Sequence, residues 1–399
     1  MKARLIKVML GFTVAIAFLI PIWKFFLPLI AGLLVVSYII SGDWKSRLLM
    51  LKRSAPMLAL LSFYIYNVIG LIWTQNMDKG WLHLEIKMAL FLFPFIIFAR
   101  PDLNSAHIKF IRRAFVIGSI LSASALIMRA IYLFFSIGEN HFSYELFSPY
   151  FHPSYIAMYF LMAAFILYEE FRISHKPISR IFPAGITILV CSTVLLSSKI
   201  NLLILALSMA FLFINSLRKA EKKFPIIMGI ILAVVISIGL VVFVPTIAER
   251  FTAAIEVIRS EKPIDRNDTE STAARLLVWE SALEILKENP MGVGVGDVNI
   301  ELTKQYHLNQ FSGIESKQLN AHNQFLQTAV ALGYPGLIVL ILVFFLPLRE
   351  GILQNNRCLV FFIALCFING LVEGILETQT GILFFAFFYS IFQRNYEHE

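Results

Sequence analysis

The chain has 399 residues, of which 58% are hydrophobic and 15% charged, with a mean hydropathy of +0.75 and a formal net charge of +8. So few charged side chains cannot cover the surface of a soluble domain of this length. The basic residues sit in the turns between apolar blocks, which excludes a nucleic-acid footprint. Cys191, Cys358 and Cys366 lie inside the blocks as small packing residues, with neither a disulfide framework nor metal-ligand spacing.

Apolar blocks long enough to cross a hydrocarbon core predict helices over 5–22, 25–40, 56–73, 84–99, 114–137 and 154–168. Six more are expected over 181–197, 200–215, 225–245, 323–347, 358–370 and 375–392. The first block follows Lys2, Arg4 and Lys7 but runs on without a small-residue cleavage site, so it reads as a span rather than a leader. The turn Ser197–Ser198–Lys199 alone separates the seventh and eighth. With the N-terminus in the cytoplasm, the inner turns hold Lys45 to Arg53, Arg100 to Arg113, Arg172 to Arg180 and Arg218 to Lys223. The short outer turns hold only Lys24, Lys79 and Lys199, which is the positive-inside asymmetry. The expectation is an all-α polytopic membrane protein of about twelve transmembrane helices, with both termini cytoplasmic.

Residues 1–245 then carry nine helices, 246–320 form a large outer loop, and 321–399 carry three more. A loop of that length is functional or a small domain. Within it, 249–260 reads as a short amphipathic helix and 261–270 as a polar stretch. Over 271–288, Leu276, Trp279, Leu283 and Leu286 recur at helical spacing before Asn289–Pro290 stops the helix.

Several side chains could carry chemistry. His322 stands where the loop enters a span, and imidazole is the side chain that exchanges a proton near neutral pH, so it could act as a general base. Its plain alternative is a helix cap. Arg275 lies in the first turn of the loop helix, where a cation is unfavourable, which points toward anion binding as against a solvated face. Lys199 could bind an anion or merely snorkel. Arg129 lies inside a span, where an unpaired charge costs roughly 2.5–3.5 kcal/mol on insertion scales and calls for a partner or a role. The loop 138–153 with His141, Tyr150, His152 and nearby Tyr155 could stack on sugar rings or form an interfacial belt. Gly292, Gly294, Gly296 and Asp297 follow a helix and not a strand, so they fail the dinucleotide pattern and read as a flexible turn exposing amides. Gly333 and Gly336 read as close packing with a bend at Pro335. Glu373 and Glu377 stand one turn apart, open to pairing with Arg129 or Lys199. No acidic pair in the spans suits a metal–diphosphate site, which favours metal-independent chemistry without a cofactor.

From His322 the chain runs histidine, Asn323, nine residues, then Gly333-x-x-Gly336, which resembles the signature of the O-antigen ligase and polymerase superfamily. The string RLLVWESALEILKENPMGVGVGD, with Arg275, Trp279, Pro290 and the glycines, is similar to that family's outer-loop motif. LSSKINLLILAL resembles its serine-basic turn, with Lys199 where arginine is more usual. The resemblance implies a GT-C-like fold in the bacterial inner membrane with its site on the periplasmic face. It implies an inverting transfer of a glycan from undecaprenyl diphosphate to an acceptor hydroxyl, either on lipid A core (ligase), on a growing glycan (polymerase) or on a protein. His322 would then activate the acceptor, Arg275, Lys199 and Arg129 would neutralise the diphosphate, and Asn323, His152 and Tyr155 would contact substrate. Arginine bonds two phosphate oxygens through its planar fork whereas lysine is a point charge, so Lys199 leaves only the electrostatic role secure. A secondary transporter would show two similar six-helix halves; the asymmetric break after the ninth span argues against it. A non-catalytic membrane partner of a polysaccharide machine is the remaining alternative.

Overall fold

A computed structural model describes residues 2–42, 44–173, 181–218, 266 and 272–394. The expected helices 225–245 and 249–260 lie outside the described residues, as does all but residue 266 of the stretch 261–270. Every regular element among the described residues is helical. In chain order these are α1 (Lys2–Leu19), α2 (Leu27–Ser41), α3 (Trp44–Lys52), α4 (Ala55–Ile69), α5 (Met77–Phe93), α6 (Ser105–Ile137), α7 (Tyr144–Phe147), α8 (Pro153–Ile173), α9 (Ile181–Leu195) and α10 (Lys199–Arg218). After the undescribed stretch come α11 (Thr272–Glu288), α12 (Val298–Leu308), α13 (Ser312–Lys317), α14 (Gln324–Leu353), α15 (Arg357–Gly370) and α16 (Gln379–Phe392). Among the described residues, five helical segments are long and apolar enough to cross a membrane: Lys24–Ser41, Ala55–Trp73, Met77–Phe98, Ser105–Ile137 and Gln324–Leu353. The architecture is that of a helical membrane protein.

Several helix ends differ from the apolar blocks. α5 and α6 begin well upstream of 84 and 114, because Asn76 and Asn104 accept from Lys79 N and His107 N and start each helix in polar sequence. α16 begins at Gln379 and not 375, where Thr378 Oγ1 accepts from Gly381 N. Residues 371–378, with Glu373 and Glu377, therefore form a non-helical connection. On α11 the buried face is Ala274, Leu277, Val278, Ser281, Ala282, Ile285 and the expected Leu286, while Leu276 and Leu283 are exposed.

The chain divides into two compact units. One comprises Met1–Thr13, Leu29–Ile108 and Ala254–Glu399; the other comprises Val14–Pro28 and Lys109–Ala253. In the first, α14 packs on α4, α11 and α15, and α16 on α5. α16 has no polar face, and its residues from Gly381 to Phe392 are buried. Phe362 of α15 meets Phe384, Phe385, Phe388 and Phe392 of α16 with ring centroids 5.6–6.2 Å apart. In the second, α8 packs against α9 and α10.

Two prolines and a glycine in α14 leave backbone groups that must find partners elsewhere. Pro347 cannot donate to Val343 O, and the Tyr389 hydroxyl reaches that carbonyl at 3.0 Å. Pro335 likewise leaves Ala331 O free, and Gly294 N donates to it at 3.0 Å. At Gly333 the helix kinks (φ 67, ψ −168), so Tyr334 N turns to Pro290 O and Val330 O accepts from Val293 N. The glycine run 292–296 is thus not a flexible turn with open amides, since two of its amides are spent on the kink. A Cβ on Gly292 would stand 2.5 Å from Ala331 O and Gly333 N, and one on Gly333 would overlap the Pro290 carbonyl. The bend expected at Pro335 is centred on Gly333, the only residue type that adopts this conformation freely. Gly333→Ala adds both strain and overlap, and should destabilise the protein by roughly 2–4 kcal/mol. Thermal unfolding in detergent should show a clearly lower midpoint, with Gly11→Ala, in open space on α1, as the neutral control.

Candidate active site

The interlock fixes where α14 begins, and His322 stands one residue before its cap. Asn323 is the N-cap, with Oδ1 accepting from Phe325 N at 2.9 Å and Leu326 N at 3.1 Å. The strap leading to it is tied from several elements. Tyr306 of α12 donates to Leu319 O at 2.9 Å, Trp279 of α11 to Ala321 O at 3.1 Å, and Ala321 N to Gln327 Oε1 at 3.1 Å. His322 itself adopts the left-handed region (φ 42), its N–H bonded to Asn320 Oδ1 at 3.0 Å. A histidine held there is strained, which surrounding bonds must sustain and which is common at working sites.

Arg275 and Trp279 are four apart and share a face of α11. Trp279 buttresses the strap while Arg275 Nη2 donates to Glu373 Oε1 at 3.2 Å. The other oxygen of the same carboxylate, Oε2, lies 3.7 Å from His322 Nδ1. Glu373 is largely buried, while the His322 and Arg275 side chains keep 28% and 32% exposure. Nδ1 is sealed from solvent without a hydrogen-bond partner, which leaves Nε2 as the accessible nitrogen. The result is an imidazole and a guanidinium that each keep one exposed edge, with a buried carboxylate between them.

Glu373 is carried by the connection 371–378, and a second buried cluster holds that connection in place. Glu377 accepts from Lys87 Nζ at 3.0 Å and from Gln324 Nε2 at 2.9 Å, with His83 Nδ1 at 3.5 Å. Gln324 Oε1 in turn accepts from Leu376 N at 2.6 Å. Burial alone would raise the Glu377 carboxyl. The Lys87 charge, with His83 and the Gln324 amide, outweighs burial and holds the group down, to about 2. Glu373 thus meets Arg275 and His322, and Glu377 meets Lys87, Gln324 and His83, pairings that sequence reasoning did not propose.

Lys199, Arg129, His152 and Tyr155 belong to the second unit. Lys199 opens α10 after the turn at Ser197 (φ 52). Asn201 ties this turn to the start of α8, donating to Ser154 O at 3.1 Å and Ser198 Oγ at 2.9 Å. The Lys199 turn is thereby joined to the segment that carries His152 and Tyr155, whose rings meet edge-on with centroids 5.8 Å apart. Arg129 Nη1 donates to Leu146 O of α7 at 2.9 Å, so its partner is a backbone carbonyl of the loop 138–153. Among the described residues, no three His, Cys, Asp or Glu side chains group as a metal ion would require.

Residues 184–341 match the family model described as O-antigen ligase. The likeness covers that stretch, less than half of the chain. No curated protein matches it. The matched region includes Lys199, Arg275, His322 and Asn323. Glu373, Glu377 and Lys87 lie beyond it; sequence reasoning left the two carboxylates open to pairing with Arg129 or Lys199 and gave Lys87 no role. Lys87 was open to the argument applied to Arg129, as a charge inside an apolar span. Removing one partner of its buried pair should cost about 3–5 kcal/mol. Lys87→Met should therefore lower the unfolding midpoint in detergent strongly, and Lys87→Met with Glu377→Gln should recover most of the loss.

Proposed function

We propose that the protein transfers a glycan from undecaprenyl diphosphate to an acceptor hydroxyl at the periplasmic face of the bacterial inner membrane, without a metal ion or other cofactor. Lipid A core is the acceptor we favour, as in an O-antigen ligase, with a growing glycan or a protein hydroxyl served by the same donor chemistry. The observation that carries this reading is that His322 and Arg275, both inside the region that matches the O-antigen ligase model, meet on one buried carboxylate, Glu373. A base with one open nitrogen suits removal of an acceptor proton. A half-exposed guanidinium suits the diphosphate, whose charge grows as the glycosidic bond breaks.

In this reading the acceptor oxygen attacks the anomeric carbon from the face opposite the leaving group, so configuration inverts. His322 takes the hydroxyl proton, and the diphosphate oxygen leaves with the bonding electron pair. Lys199 and Arg129 are further cations for the donor, and His152 and Tyr155 supply ring faces for sugars. Asn323 acts by capping α14 and so placing His322. The reading also carries the twelve-span topology, with nine helices before the loop at 246–320 and three after it, both termini in the cytoplasm, and a GT-C-like fold.

Four variants test the division of labour. His322→Ala should lose roughly 10²–10⁴-fold in rate with little change in affinity for undecaprenyl diphosphate. Arg275→Ala should lose on the order of 10²–10³-fold and also bind that lipid more weakly. Arg275→Lys should recover little if the contact is bidentate, whereas Lys199→Arg should be tolerated. Rates and lipid affinities in detergent decide the matter: a wild-type rate in His322→Ala removes the base, and unchanged lipid affinity in Arg275→Ala removes the clamp.

A further inference from the structure

We propose that a cavity beside the strap that ends in His322 is the site for the acceptor's sugars, and that it binds a hydroxyl-rich, largely uncharged saccharide. The inference rests on the transfer reaction proposed above and names where its acceptor sits.

The cavity encloses about 780 Å³ and lies wholly within the first compact unit. Lys79 and His83 of α5 form one wall, Asn299, Thr303 and Lys304 of α12 a second, and Gln318 at the end of α13 a third. These walls are fixed by bonds already described. Asp297 holds the chain before α5 through Gln75 N and Asn76 N, and it is also the residue from which α12 starts. Tyr306 of α12 is tied in turn to the strap at Leu319 O.

Two connections lead from the cavity to His322. Gln318 lies four residues before it on the strap, a reach of at most about 14 Å. On the opposite wall, His83 turns Nδ1 toward Glu377 Oε2 at 3.5 Å, and Glu377 accepts from Gln324, two residues beyond His322. Nε2 is then the His83 nitrogen left for the cavity. None of the residues assigned to the donor lines these walls. A saccharide held here extends its end to the base without competing for the diphosphate cations.

The lining selects the ligand class. The amides of Asn299 and Gln318 and the Thr303 hydroxyl both donate and accept, as sugar hydroxyls do. A lipid tail would leave such groups unpaired. A diphosphate would call for donors alone, yet Glu315 stands in the wall. Charge is largely compensated, because Lys304 pairs with Glu301 and His307 Nδ1 lies 3.0 Å from Glu315 Oε1. Among the described residues, the side chains of Lys79, Asn299 and Gln318 have no partner within the protein, which leaves them for a ligand.

The direct test is binding of the oligosaccharide released from lipid A core, titrated against the full-length protein in detergent without donor. Asn299→Ala and Gln318→Ala each delete one neutral hydrogen bond and should weaken binding roughly 2–10-fold. Thr303→Trp fills the cavity and should weaken it further. With donor present, the acceptor KM should rise by the same factors. The kcat and the affinity for undecaprenyl diphosphate should stay unchanged, the pattern of a contact made equally in ground and transition states. No binding by the wild-type protein, unaltered affinity in all three variants, or a loss of lipid affinity in place of the acceptor effect would overturn the proposal. Absent transfer by the wild-type protein, with oligosaccharide binding that Thr303→Trp still weakens, would remove the reaction and leave the saccharide site standing.

Discussion

The hydrogen-bond ladder of α14 breaks at Gly333 and Pro335, and the rest of the site depends on how that break is filled. Ala331 O and Val330 O lose their helical donors and accept instead from Gly294 N and Val293 N, while Tyr334 N crosses to Pro290 O. Buried backbone groups must be paired, so the turn after α11 is bound to one register on α14. That register sets the height of α11 beside the start of α14. It therefore sets where Arg275 and Trp279 stand against the strap that ends in His322. Asp297 extends the same lock to α5, accepting from Gln75 N at 2.6 Å and Asn76 N at 2.8 Å. Lys87 lies on that helix, so the anchor of the Glu373 connection is aligned by the same turn. Two glycines with φ near +67 and +86 and a proline without an N–H thus connect a helix kink to the placement of a base and a cation.

Much of this was legible in the sequence, and what was not has physical causes. Among the described residues the apolar blocks located the helices they cover, because burying an uninterrupted apolar helix requires neither knowledge of its neighbours nor of its ends. The ends were misplaced where capping by Asn76, Asn104 or Thr378 carried the helix into polar sequence or delayed its start. His322 and Arg275 stood out through local features, an imidazole at a span entrance and a cation at a helix N-terminus. Glu373 and Glu377 stood out as a pair one turn apart but without these partners, since the pairing of Glu373 with Arg275 spans 98 positions and that of Lys87 with Glu377 spans 290. No spacing rule reaches such separations. The glycine run was misjudged for a related reason: its amides are consumed by carbonyls that exist only because another helix kinks.

The site joins two demands that usually conflict. In the proposed reaction a base must be open to substrate, while a buried carboxylate must be kept compensated. Here exposure is divided between the members: Glu373 is buried while His322 and Arg275 each present one edge. The buried ion pair behind them contributes less to net stability than its geometry suggests, because desolvating two charges offsets most of their attraction. Its value lies in fixing the connection 371–378, which has no helical ladder of its own to hold Glu373 in place.

In the proposed reaction this site moves a glycan from a lipid diphosphate to a hydroxyl by proton removal and charge neutralisation alone. The direct test is turnover by the purified protein in detergent, supplied with an undecaprenyl-diphosphate-linked glycan and lipid A core in buffer containing a chelator. The account predicts undecaprenyl diphosphate released mole for mole with glycan joined to the core, and inverted configuration at the new bond. A dependence on added magnesium or manganese, a requirement for a nucleotide sugar, or retained configuration would contradict it.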